Sequence, residues 1–253
     1  MATPLRLRVL SLNIHKGFSH FNLVYVLDEI RRFIRETAAD VVFLQEVQGF
    51  TEVSPTPSSQ FEFLADTVWD HYAYGKNAVY PEGHHGNAIL SKYPVEHWHN
   101  LDISTNRVEK RGVLHARIRI PDQNLFVECF SLHLNLLPAS RKLQTHQYLQ
   151  YMKEKLPPQN PVILAGDFND WQKVVSPILK EKVHLLEVFE TLHGTPAKTF
   201  PSFFPMMPLD RIYSRGLTLI HAERLNPPHW TKSSDHLALL AEFEWNPAGG
   251  SSP

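Results

Sequence analysis

Residues 161–170, PVILAGDFND, set the terms for any fold this chain can adopt. The apolar run Val162-Ile163-Leu164-Ala165 is long enough for a buried strand and is flanked by turn formers. Gly166 then marks a turn or a close backbone approach. Asp167, Asn169 and Asp170 follow at once. A buried strand that ends in carboxylates and an amide is typical of an α/β sheet, which binds ligands at the carboxyl ends of its strands. The same letters also suit a helix N-cap, so the stretch gains weight only if others repeat it.

Others do. Residues 6–13 alternate and then run apolar, which predicts a strand ending in the polar turn Asn13-Ile14-His15-Lys16-Gly17. Residues 40–47 (DVVFLQEV) predict a second buried strand, ending at Gln45 and Glu46. Further strands are expected over 71–74, 87–91, 95–103, 113–120, 125–132, 209–213, 217–224 and 237–245. Residues 22–36 place Leu23, Val26, Leu27, Ile30, Phe33 and Ile34 at helical spacing. Helices are also expected over 61–69, 138–155 and 173–182. Residues 50–60 and 195–208 read as loops, 81–86 as a turn and 121–124 as a hairpin turn. The class is α/β. No repeat or second boundary is visible, so one domain over 1–253 is expected, with 246–253 as a loose tail.

Composition excludes some classes. No run approaches the roughly 18 apolar residues of a membrane span. The first residues show no cleavage site, and the one cysteine, Cys129, excludes an internal disulfide and fits a reducing compartment. A cytoplasmic monomer is expected, with peripheral membrane contact left open. A formal net charge of −1 lacks the basic excess of proteins that grip long duplex DNA. Nucleic acid is therefore not the favoured partner, although a local basic patch remains compatible.

Polar groups close many of the apolar strands: Asn13, Glu46, Asn87, His133, Asn135, Asp167, Asn169, Asp210, Asp235 and His236. Singly, each suits a turn, a solvated charge or a satisfied core residue. Together they suit oxygen ligation of a hard dication such as Mg²⁺, with Mn²⁺ as the alternative. Paired cysteines, HExxH, GxSxG, a Walker A motif and GxGxxG are all missing from the sequence. His84-His85 reads as a solvated pair in a glycine-flanked turn. What remains is metal-assisted hydrolysis of a phosphoester by water.

In chain order, LNIHKG, LQEV, GNAILSKYP, SLHLN, GDFN, LDRIY and SDH resemble the endonuclease/exonuclease/phosphatase superfamily, most closely its small stand-alone bacterial members. That group includes nucleases, inositol polyphosphate 5-phosphatases and neutral sphingomyelinases. The resemblance spans roughly residues 6–244 and implies a four-layered sandwich, two mixed sheets face to face with helices outside. It implies that Glu46 is the principal metal ligand, with Asn13 beside it and Asp235 as the other acidic residue near the metal. Asp167 matches the residue that orients and deprotonates the attacking water. Asn169 matches the amide that holds the phosphoryl group. His236 matches the histidine on the phosphoryl oxygens, Asp210 its orienting carboxylate, and His133 a second histidine facing the phosphate. Arg211 departs from the hydrophobic or aromatic residue of many relatives.

Lys16, Asn87, Arg111, Asn135 and Arg141 complete the expected site as substrate contacts. The expected activity is a Mg²⁺-dependent phosphodiesterase or phosphatase acting on a small or lipid-derived phosphoester. A DNA endonuclease or repair nuclease is the alternative, and a catalytically silent scaffold the rival from another class. The loop 199–207 (TFPSFFPMM) is either a contact for an apolar or stacking part of the substrate or simply packed.

Overall fold

The computed structural model describes residues 5–19, 24–51, 59–81, 83–107, 109–123, 125–227 and 233–245. In chain order these form β1 (Leu5–Asn13), α1 (Leu27–Thr37), β2 (Val41–Thr51), α2 (Gln60–Ala65), β3 (His71–Tyr80), β4 (Gly83–Ser91), β5 (Val95–Asp102), β6 (Gly112–Ile120) and β7 (Leu125–His133). There follow α3 (Pro138–Lys155), β8 (Val162–Asp167), α4 (Val175–Val183), β9 (Leu186–Glu187), α5 (Val188–His193), β10 (Asp210–Arg215), β11 (Thr218–Leu225) and β12 (Ala238–Trp245).

The strands build two sheets of six, ordered β11-β12-β1-β2-β4-β3 and β5-β6-β7-β8-β10-β9. Each has a parallel pair at its centre. β1 pairs with β2 across the α1 crossover, and β7 with β8 across α3. Both strands of each pair therefore end on the same side, which brings Asn13 level with Gln45, and His133 level with Asp167. Antiparallel β10 then sets Asp210 opposite Asp167.

Three apolar clusters explain the layering. Leu7, Val9, Phe43 and Ile89 of one sheet meet Leu114, Ile118, Cys129 and Ile163 of the other. Leu10, Leu12, Val42 and Leu44 point the opposite way, under Ile30, Phe33 and Ile34 of α1. Phe130, Leu132 and Leu164 pack under Tyr148, Leu149 and Met152 of α3. Because side chains alternate along a strand, each central strand feeds two clusters and must be apolar on both faces. The result is the expected four-layered α/β sandwich. No helix among the described residues is long and apolar enough to cross a membrane.

Some local expectations change. Residues 83–86 are strand rather than turn, because β3 runs on to Tyr80 and pairs with them on one side, Val79 with His84 and Ala78 with His85, while β2 runs on to Thr51 on the other, where Gln48 faces His85 and Thr51 faces Gly83. A Cβ at Gly86 would lie 1.8 Å from the Gly75 carbonyl oxygen, so glycine permits that close pairing. α2 stops at Ala65, short of the expected 69, and starts with a Ser59–Glu62 capping box. β9 and α5 were not expected at all. Parts of the expected 22–36 helix and 50–60 loop, Asn124 of the 121–124 turn, and the 246–253 tail lie outside the described residues.

Candidate active site

Two backbone distortions aim the site. β2 carries a bulge between Leu44 and Val47, and within it Glu46 adopts φ 56°. A non-glycine residue at positive φ is strained, and such strain persists where the surroundings enforce it. Here it turns a carboxylate out of the sheet at a bulge midway along the strand. In β8, Gly166 has φ 147°, and a Cβ there would fall 2.0 Å from the Leu132 carbonyl oxygen. Glycine thus lets β8 pack against β7 immediately before Asp167.

The side chains converge on a cavity of about 400 Å³. Asn13 is buried, and its Nδ2 lies 3.2 Å from both Glu46 Oε1 and Asp167 Oδ2. One amide therefore ties a carboxylate of each sheet to the other. His133 Nε2 sits 3.4 Å from Asp167 Oδ2, and its Nδ1 is 3.9 Å from Glu46 Oε1. His236 Nε2 approaches the same Asp167 oxygen at 3.8 Å, while its Nδ1 meets Asp210 Oδ2 at 2.8 Å. Asn169, at φ 49°, donates its backbone N–H to Asp167 Oδ1 and its side-chain amide to the Leu134 carbonyl.

Electrostatics separates the two buried partners. Burial pushes Asp167 up to about 7, with the Asp210 and Glu46 charges adding and His236 opposing. Burial alone would lower His236, but the Asp210 charge and hydrogen bond, followed by Asp167 and Asp235, raise it to about 10. His133 is held well below its usual range by burial and by Arg111 and His236. At neutral pH the site thus offers a cationic histidine, a neutral one, and a carboxylate near its titration midpoint.

Of the expected residues, Glu46, Arg111, His133, Asp167, Asn169 and His236 line the cavity. Asn13 and Asp210 support them from behind. Lys16 lines an adjoining cavity. Asp235 does not line the cavity; its Oδ1 lies 3.8 Å from His15 Nδ1 and has no hydrogen-bond partner among the described residues.

Asn87, Asn135 and Arg141 do not line that cavity. Asn87 donates to the carbonyls of Gly112 and Ser131, and Asn135 is held by Gln144 and Thr105. Arg141 is fully buried, donating to the Leu136 and Asn135 carbonyls and to Gln172, and pairing with Asp170 at 3.4 Å. All three satisfy buried backbone or side-chain groups. Arg211 is likewise buried, donating to the carbonyls of Pro208, Asp210 and Asp170.

The sequence reading did not single out Thr199 or Ser234, and it missed Leu136, Trp171 and Leu209 of the apolar wall. Thr199 Oγ1 donates to Asp210 Oδ2, the oxygen that also meets His236. Ser234 Oγ donates to the Asn13 carbonyl and accepts the His236 N–H, tying the SDH segment to the end of β1. Leu136, Trp171, Phe200, Met207 and Leu209 form the wall. Only the TFPSFFPMM loop had drawn notice, because side-chain types do not tell which loop residues face a cleft.

Asp167, Asp210 and His236 bring possible ligand atoms within 4.8 Å of one another. His236 Nδ1 is committed to Asp210, however, and its raised proton affinity makes it a poor neutral ligand. The Glu46 carboxylate opens on the cavity, with the Asn13 amide at 3.2 Å and His133 at 3.9 Å. An oxygen donor so placed fits a hard divalent ion.

Two mixed sheets whose strand ends pool carboxylates, amides and histidines define a class of phosphoester-cleaving folds, and the chain belongs to the endonuclease/exonuclease/phosphatase family, whose profile matches residues 10–236. Among curated relatives it is 46% identical over 242 residues to the uncharacterized protein YbhP of Escherichia coli, covering 93% of this chain and 95% of that one. A Beutenbergia cavernae endonuclease/exonuclease/phosphatase shares the fold with a TM-score of 0.79 at 21% identity, over 95% of this chain and 72% of that one. D. rerio TDP2, solved with a single-strand DNA product, does so with a TM-score of 0.72 at 18% identity, over 94% and 98%.

Proposed function

We propose that the protein is a Mg²⁺-dependent phosphoester hydrolase, with Mn²⁺ as a substitute, acting on a small or lipid-derived phosphoester. The observation that carries this reading is the placement of Asp167. It is a buried carboxylate, raised to about 7, with a cationic histidine on one side and the Glu46 carboxylate tied to it through Asn13. A general base works best with its pKa near the operating pH. Asp167 takes the proton of a water as that water's oxygen bonds to phosphorus in line with the departing ester oxygen. His236, held cationic by Asp210, and Arg111 neutralise the non-bridging oxygens as the P–O bond breaks. A divalent ion held by Glu46 would supply further positive charge to the phosphoryl group and lower Asp167 toward its ionised form.

The wall of Leu136, Trp171, Phe200, Met207 and Leu209 supports a substrate with an apolar or stacking portion. Purified protein with Mg²⁺ is expected to hydrolyse small or lipid phosphoesters from a panel that also holds plasmid DNA and abasic oligonucleotide. Hydrolysis confined to the DNA members would favour the nuclease reading instead. That alternative draws support from the TDP2 complex and from aromatic side chains suited to stacking bases. Inactivity on every ester with either ion would leave a non-catalytic scaffold.

A further inference from the structure

A second cavity, of about 320 Å³, opens beside the first and shares Glu46, Arg111 and His133 with it. Its far wall gathers Lys16, His85 and Lys110 from the turn after β1, from β4 and from the β5–β6 connection. The hydrolytic steps above use none of these three. Lys16 is presented by a costly piece of backbone: His15, Lys16 and Gly17 have φ of 46°, 56° and 75°. The turn is pinned, because Gln60 Nε2 donates to the Lys16 carbonyl at 2.6 Å and the His15 N–H reaches Asn13 Oδ1 at 3.0 Å. Asn13 therefore fixes Lys16 and the hydrolytic carboxylates together. Tyr80 stacks on His85, with ring centroids 5.5 Å apart.

Among the described residues, neither Lys16 nor Lys110 has an ion-pair partner within 4.0 Å. Arg111, between the two cavities, pairs with Glu109 at 2.7 Å and leaves its Nε without a partner. With Glu46 committed to a cation, three basic side chains face one carboxylate. Charge-assisted donors converging on a recess are the recognition pattern of a phosphate.

We propose that this cavity seats a second phosphate of the substrate, carried on the same molecule as the scissile ester, with Lys16, Lys110 and His85 as its contacts. The proposal rests on the phosphoester-hydrolase reading. The shared walls let one molecule bridge both cavities.

The test compares a nitrophenyl phosphodiester of thymidine with and without an added 3′-phosphate, on the wild type, Lys110→Ala and Lys110→Glu. The wild type is expected to prefer the doubly phosphorylated ester in kcat/KM by about tenfold, the worth of one charge-assisted contact. The preference should fall toward unity in Lys110→Ala and reverse in Lys110→Glu. Equal wild-type rates, or a Lys110 loss of the same size on both esters, would overturn the proposal. If the wild type cleaves neither ester, the hydrolase reading is decided separately, by the wider ester panel. Calorimetry then decides with thymidine 3′,5′-bisphosphate against thymidine 5′-phosphate: tighter wild-type binding of the bisphosphate, lost in Lys110→Glu, upholds the cavity, and equal binding overturns it. Stronger competition by a thymidine oligonucleotide than by the bisphosphate would assign the phosphate to a nucleic-acid chain, and the reverse to a small ester.

Discussion

Asp210 Oδ2 lies 2.8 Å from His236 Nδ1, and Thr199 Oγ1 donates to the same oxygen. The residue is 1% exposed, and both proton-bearing partners converge on that one oxygen. It fixes the ring so that Nε2 faces Asp167. The proton affinity of His236, unlike that of His133, is therefore raised by a residue that itself does not line the cavity.

Replacing Asp210 by Asn keeps the shape and removes the charge. Asp210→Asn is expected to lower kcat by about a hundredfold, the usual size of a misplaced acid–base contribution. Circular dichroism should show a native fold. Thr199→Val should give a smaller loss in the same direction.

The pH profile follows from the two shifts. Asp167 acts when ionised, so kcat/KM rises with pH through its titration, at about 7 without a metal and lower with one. His236 acts as the cation, which is present below its raised pKa of about 10 and lost above it. Activity should therefore fall on the alkaline side near 10. In Asp210→Asn this alkaline limb should move toward neutral, because the charge that raised the histidine is gone. An alkaline limb at the same pH in both proteins would contradict the assignment.

Gly166→Ala should unfold the protein more easily, by about 3 kcal/mol or more, through combined overlap with the Leu132 carbonyl and an unfavourable φ. Urea denaturation measures this directly. Gly194→Ala provides a contrast: its φ is 74°, but nothing lies within 4 Å of the added Cβ.

Away from the cleft, Glu128 is fully buried and bound by His115, Arg117 and Asn160. Burial would raise its pKa, but these three donors hold it down, to about 2 from an ordinary 4.5. A depressed carboxylate stabilises the fold above its unfolded pKa, and that stability is lost as pH falls from about 4.5 to 2. Glu128→Gln should be less stable at pH 7 by about 3 kcal/mol, as for a broken buried pair. It should also lose less of its remaining stability on acidification. Thermal melts across that range test both points.

The central strands were legible because being buried on both faces forces an unbroken apolar run, as in Val162-Ile163-Leu164-Ala165. Helix α3 was legible for local reasons, with Pro138 opening it and Pro157-Pro158 closing it. The start of β4 was not, since GHHG becomes a strand through the partners that β3 and β2 supply on its two sides. At the site, the polar strand ends named Asp167, His236 and Glu46. They could not separate Arg111, which lines the cleft, from Arg141, which is clamped to carbonyls beneath Trp171. Both are arginines near strand or helix ends, and only packing tells them apart.

The central claim, that Asp167 is the base of a phosphoester hydrolase, is tested most directly by following release of nitrophenol from a chromogenic phosphodiester with Mg²⁺, for the wild type and Asp167→Asn side by side. Hydrolysis by the wild type, reduced about a thousandfold or more in the folded variant, is the expected result. Equal rates in the two proteins would contradict it.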